Sequence, residues 1–237
     1  MTNYSELTHN SPFAIKRLSH GARFKSYCEF LVENQSSVKN QDFLDYGSGD
    51  GHLFNVLKAA GINSYKLHAF EPVPSQFEQL VANVSKNNLD VDCLTVLEKN
   101  KKFDIILCAE VLEHFSACNV LFHLAEIKDI LSSEGKLLVS VPVEIGLAGL
   151  SKNIARALIG QLHKGLNFQA IIKSFFDIPI DRGDDYYISS HVGFSHKKLE
   201  YLLVDAGFTV EKKYFSPFPF MRSVANSQAF FECKIKT

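Results

Sequence analysis

Asp45, Gly47, Gly49 and Gly51 crowd into the segment FLDYGSGDGHL (Phe43 to Leu53), and Glu71 follows about 20 residues later. Glycine admits positive φ and lets a ligand approach the main chain where a Cβ would intrude. A helix opening directly behind such a turn adds unsatisfied N–H groups and the positive end of its dipole. An acid at that distance is spaced to take two charge-assisted hydrogen bonds from a ribose diol. The set describes a cradle for a nucleotide-like ligand, against the plainer reading of an ordinary turn and a solvated strand-end acid. A second set can accept protons: Glu110, Glu113 and His114 in CAEVLEHF (108–115), and His191 ahead of Gly193-Phe194. His114 is placed either to take a proton from a bound hydroxyl or to cap and pack. His191 follows Tyr186, Tyr187 and two serines, where a substrate would enter. Glu110 suits support of its own loop or of the cofactor.

These groups need a scaffold that brings distant loops to one mouth. Residues 43–46 read as a short buried strand, followed by a helix over about 52–60 that stops at Gly61. KLHAFE (66–71) is a second strand, and a helix from Pro74 to Asn88 carries Phe77, Leu80, Val81 and Val84 on one face. A weaker strand is expected near Cys93–Leu97. FDIILC (103–108) is almost uniformly apolar, as a central parallel strand covered on both faces must be. A helix over 116–131 ends before SSEG, a turn signal, and KLLVSV (136–141) is another central strand. A helix over His196–Asp205 precedes two final strands, FTVEKKYF and AFFECKIK, paired antiparallel. The expected fold class is α/β: a doubly wound, mostly parallel sheet of seven strands, with N-terminal helices and a helical insert. In such sheets ligands bind at the C-terminal strand ends, where the strand order reverses.

The 237 residues are 46% hydrophobic and 22% charged, which suits one elaborated α/β domain over 1–237. Within it, 1–40 forms an N-terminal helical segment and 143–190 a helical insert. A net charge of −1 advertises no nucleic acid partner. No apolar run is long enough to span a bilayer, and the start MTNYSELTHN lacks the regions of a signal peptide, so a cytoplasmic protein is expected. Five scattered cysteines without CxxC spacing predict reduced thiols and no metal site. The insert holds two amphipathic segments, the first with Lys152, Arg156 and Lys164 opposite its apolar stripe. That pattern fits a helix packed on the domain, and also one lying on anionic lipid. As a lid rich in Phe and Leu, the insert suits a partly apolar acceptor or a lipid-linked one.

FLDYGSGDG, FEPV with Glu71, FDIILCAEVLEHF, LSSEGKLLVSVPVEIG and HVGFSHKKLEYLLVDAGF, in that order, resemble the motifs of class I S-adenosylmethionine-dependent methyltransferases. The resemblance covers roughly residues 10–215 and is nearest to the small-molecule branch that includes the ubiquinone-pathway O-methyltransferases. It implies the Rossmann-like methyltransferase fold and S-adenosyl-L-methionine as cofactor. It sets Asp45, Gly47 and Gly49 against the methionine moiety and Glu71 on the ribose. Cys108 with Ala109 would reach the methionine end or the adenine edge. SPFAIKRLSHGARF is similar to the segment that closes over the cofactor, so Arg17 or Arg23 would meet the methionine carboxylate, unless either is a surface charge.

The implied reaction is direct in-line methyl transfer to a small molecule, a hydroxyl oxygen ahead of N or C, with His191 or His114 as base. A nucleophilic acceptor needs neither. Two rivals share the cofactor site: a catalytically silent regulatory subunit and an RNA methyltransferase. Oligomeric state is left open. The chain also departs from relatives. The adenine-binding acid expected after the third strand has no clear counterpart, since Asp92 falls too early and Glu98 is what remains. No NPPY-type tetrapeptide and no Pro-Cys follows the fourth strand, which argues against amino-methylation and cytosine-C5 chemistry. An NAD site would ask for GxGxxG, and here the third glycine comes one residue early.

Overall fold

The computed structural model describes residues 14–35, 40–145, 172–173, 178, 187–188, 193–221, 223 and 226–236, with the side chains of 14–18 excepted. Most of the expected insert at 143–190, and His191 just after it, lie outside these residues. In chain order the elements are α1 (Ala14–Glu33), β1 (Gln41–Tyr46), α2 (His52–Ala59), β2 (Tyr65–Phe70), α3 (Pro74–Lys86), β3 (Val91–Leu94) and β4 (Phe103–Ala109). A 3-10 turn at Leu112–His114 leads to α4 (Ala117–Ile130) and β5 (Leu131–Pro142). The last elements are α5 (His196–Asp205), β6 (Phe208–Ser216), a 3-10 turn at Pro219–Met221, and β7 (Gln228–Ile235). The seven strands form one sheet in the order β3-β2-β1-β4-β5-β7-β6. β1 pairs in parallel with β2 and β4, β2 with β3, while β6 and β7 are antiparallel. The order turns around between β1 and β4, which is where a doubly wound sheet opens its ligand crevice.

The chain divides into two compact units, one running to Ala109 with Ile127–Leu138 added, the other holding Glu110–Glu126 and the chain from Val139. In the first, Phe43, Leu44, Phe54, Leu57, Leu80, Ile105 and Ile106 are almost entirely removed from water. Phe43 meets Phe54 and Tyr65 ring to ring at 6.5 and 6.1 Å, inside the range where aromatic pairs add to burial. α1 buries Tyr27, Phe30 and Leu31, and the Tyr65 hydroxyl donates to the Leu31 carbonyl at 2.5 Å. Burial pushes that phenol up to about 12. The same unit hides one polar cluster. His68, fully buried on β2, sets Nε2 2.7 Å from Asp42 Oδ1 and Nδ1 3.1 Å from Asp92 Oδ2, with Lys101 Nζ also 3.1 Å from Nδ1.

In the second unit, Ser195 caps α5 by accepting from the Lys198 N–H at 3.3 Å, and His196, Leu199 and Leu203 are buried. The His196 ring meets Phe215 of β6 edge-on at 5.6 Å. Beyond β6, the buried Asn226 side chain bonds both the N–H and the carbonyl of Phe218, closing the β6–β7 connection.

Two expectations shift. SSEG is no turn: Ser132 to Gly135 lie in the first half of β5, which starts at Leu131 directly behind α4. A Cβ on Gly135 would stand 2.7 Å from Leu131 Cδ1 and 2.8 Å from Ser132 Oγ, so the glycine makes room for side chains folded over the strand. The third strand sits earlier than expected, because pairing of Leu67–Phe70 with Val91–Leu94 fixes its bounds.

Candidate functional site

The turn after β1 is assembled from backbone. The N–H groups of Gly47 and Ser48 both donate to the Phe70 carbonyl at 2.9 Å, which pins the β1 exit to the end of β2. Gly47, Gly49 and Gly51 take φ of 82°, 57° and 71°, a region side-chain-bearing residues rarely enter. Their spatial roles differ. A Cβ on Gly49 would come only to 3.4 Å from Gln76 Oε1, an ordinary contact, whereas one on Gly51 would stand 2.5 Å from Leu80 Cδ1. The third glycine therefore serves close packing against α3. Asp50 accepts from the His52 N–H at 3.1 Å, satisfying one of the orphan donors of α2. Its other carboxylate oxygen, Oδ2, is buried with no hydrogen-bond partner among the described residues.

Glu71 faces this turn. Its Oε2 accepts from the Gly49 N–H at 2.8 Å and its Oε1 from the Val73 N–H at 2.9 Å. Two backbone donors fix the carboxylate's orientation, and each oxygen keeps a further lone pair for a ligand hydroxyl. Glu71 is almost fully buried, and burial raises its pKa against the pull of those two N–H groups. Asp45 is buried as well. Desolvation pushes it up to about 7, a hydrogen bond with Ser48 holds it down in part, and the nearby Glu71 and Asp50 raise it further. The carboxylates of Asp45, Asp50 and Glu71 thus stand near one turn, those of Asp45 and Glu71 buried.

Register completes the strand ends. Asp45 pairs with Leu107, which brings Cys108 and Ala109 level with Tyr46 and Gly47. Cys108 is completely buried; Ala109, the last residue of β4, is half-buried. On α1, Arg23 sets Nη2 2.8 Å from His20 Nε2, and its guanidinium lies 5.5 Å from the centre of the Phe24 ring. Phe24 in turn meets His52, the first residue of α2, edge-on at 5.2 Å. Arg17 lies on α1, its side chain outside the described set.

The second unit carries the proton acceptors. Glu110 leaves β4 with φ +59°, unusual for a residue with a side chain, and its N–H donates to the Ser140 carbonyl at 2.9 Å. Gln228, with its amide nitrogen turned as the surrounding acceptors require, donates to Glu110 Oε1 and to the Val141 carbonyl, both at 2.9 Å. Glu113 is fully buried. His114 ends the 3-10 turn at 112–114, and its carbonyl accepts from the Ile188 N–H at 2.7 Å. Its Nδ1 lies 3.0 Å from the Ile188 carbonyl. Because a carbonyl only accepts, Nδ1 is the donor in this contact. Tyr187 stacks on the imidazole with centroids 4.9 Å apart and planes at 16°. Ile188 and Gln228 escape the sequence because nothing local marks them, and Tyr187, marked there only as a neighbour of His191, gains its place beside His114 from a long-range contact. His191, the other expected base, lies outside the described residues. Among the described residues, no group of three or more His, Cys, Asp or Glu is placed to hold a metal ion. No described helix is long and apolar enough to cross a membrane.

A sheet that turns around at β1 and β4, with a glycine turn and an oriented acid at those strand ends, defines the doubly wound class that binds nucleotide-like ligands. A family model described as a methyltransferase domain matches residues 19–213, and the chain belongs to that family. It is similar to the ubiquinone biosynthesis O-methyltransferase of Rickettsia canadensis, 25% identical over an alignment of 123 residues that covers 48% of this chain and 51% of that protein. The chain thus aligns with about half the length of the curated relatives it matches. Among solved structures, the magnesium protoporphyrin IX methyltransferase from Synechocystis PCC 6803 with bound SAH shares the fold at a TM-score of 0.61 and 13% identity, covering 100% of this chain and 89% of that one. An S-adenosylmethionine-dependent methyltransferase from Clostridium acetobutylicum does so at 0.61 and 13%, covering 98% and 96%.

Proposed function

We propose that this chain uses S-adenosyl-L-methionine to methylate a hydroxyl oxygen of a small, partly apolar molecule. The observation that carries the proposal is the Glu71 carboxylate, held by the Gly49 and Val73 N–H groups at the mouth of the glycine turn. In this reading Glu71 takes the ribose hydroxyls, and Gly47 and Gly49 let the ligand lie against the main chain. Asp45 and the orphaned oxygen of Asp50 meet the positive charge of the methionine end, and Arg23 meets its carboxylate. Cys108 and Ala109 line the strand end beside them. When bound, the cofactor supplies a methyl group activated on a sulfonium.

His114 accepts the hydroxyl proton at Nε2 as the oxygen gains the methyl carbon, and then returns it to water from the imidazolium. A positioned base of this kind contributes about 10²–10⁴-fold. The ubiquinone-pathway relatives favour an oxygen acceptor on a small molecule. Calorimetry with the methylated and the spent donor tests the first half; both are expected to bind. Labelled donor incubated with a panel of phenols, some bearing isoprenoid tails, tests the second; label is expected on oxygen. No heat and no thermal shift with either donor, on folded protein, overturns the cofactor assignment. Tight binding with no transfer to any phenol points to a silent subunit, and transfer to RNA alone replaces the acceptor.

A further inference from the structure

We propose that Tyr187 is a positioning residue for His114, acting through the imidazole rather than on a substrate; its catalytic meaning rests on His114 being the base. Three contacts from two consecutive residues converge on this histidine. The Ile188 N–H holds the His114 carbonyl at 2.7 Å, and the Ile188 carbonyl takes the Nδ1–H at 3.0 Å. The Tyr187 ring covers one face of the imidazole at 4.9 Å and 16°. Phe115, the residue after His114, stands edge-on to Tyr187 at 6.3 Å and 84°.

The hydrogen bond alone does not lock the ring. Rotation about the bond joining Cβ to the imidazole breaks it and presents the carbon Cδ2 to the carbonyl. That rotation must swing the ring edge into whatever lies on its face, and here the tyrosine lies there. The stack therefore keeps Nδ1 on the carbonyl and Nε2 as the unprotonated nitrogen. A stacked ring that only supports the loop would leave the tautomer indifferent to its presence.

The test needs no acceptor. Protein labelled with 15N in histidine is observed by long-range proton–nitrogen correlation, well above the ordinary histidine range of about 6.5, with His114→Gln assigning the signal. Wild type and Tyr187→Phe are expected to show one ring nitrogen protonated and the other not, in the Nδ1–H pattern. In Tyr187→Leu the separation between the two nitrogens should shrink about twofold as tautomers exchange. Tyr187→Gln, suited to a position 57% exposed, is the second ring-deleting variant should leucine impair folding. An unchanged Nδ1–H pattern in a folded ring-deleting variant overturns the proposal, as does an Nε2–H pattern in wild type. Full methyl transfer by His114→Gln would instead remove the base assignment, leaving the tautomer result to stand by itself.

Discussion

Around Gly49 the groups that hold one another are near in sequence and mostly main chain: Glu71 reaches back 22 positions to the Gly49 N–H and forward two to that of Val73. His114 is held by a residue 74 positions away, and Glu110 by the amide of Gln228 on the last strand. The first region gets its geometry from a strand, a turn and a helix that the local residues dictate. The second has its geometry imposed by distant segments. In the proposed reaction the first region sets affinity for the donor and the second sets the rate.

That division can be broken by mutation. The largest effect is expected from His114→Gln, which should slow transfer to a phenolic acceptor about 10²–10⁴-fold with an unchanged calorimetric Kd for the donor; lost donor affinity would erase the distinction. Gly51→Val should cost about 3 kcal/mol of stability, since it combines positive φ with overpacking against Leu80. A thermal melt within a degree or so of wild type would show that α3 yields easily. Glu71→Ala should weaken donor binding by about 1–3 kcal/mol, the loss of a charged hydrogen-bonding partner, and leave the rate at saturating donor nearly unchanged.

The last expected effect is in pH. Asp45 is raised from 3.8 to about 7, so the native state holds its proton more tightly than the unfolded chain does. Its contribution to stability is fully present below 3.8 and is lost as pH rises through about 7. Glu71, also raised, acts in the same sense. The ligand-free protein should therefore lose stability across that window, and Asp45→Asn should flatten the loss in melts taken between the two limits. Affinity for a cationic donor runs the other way, falling up to about tenfold per pH unit below 7 as Asp45 takes up its proton. Equal calorimetric affinity at pH 6 and 8 would exclude Asp45 from contact with the donor's charge.

Sequence patterns expose the first region well. Alternating glycines between an apolar strand and an amphipathic helix leave little freedom, and the distance to Glu71 follows from one crossover. The segment order was equally plain, because FDIILC and KLLVSV have no other place than mid-sheet. What the pattern hides is side-chain company across strands. His68 looks like a lone polar residue in an apolar run, until parallel register sets Asp92 directly opposite it and Asp42 within reach. SSEG carries the serines and glycine of a turn, yet Ser132 to Gly135 lie inside β5. Gln228 and Tyr187 belong to no motif, and their partners are fixed only by the closed fold.

Leu80 gives the molecule a remote adjustment. Its methyl fills the space a side chain at position 51 would need, so the height of the turn over the sheet is dictated from a neighbouring helix. In the proposed function, donor affinity then depends on the bulk of Leu80, a side chain buried on α3. A survey of variants that changes only ligand-facing positions would miss it.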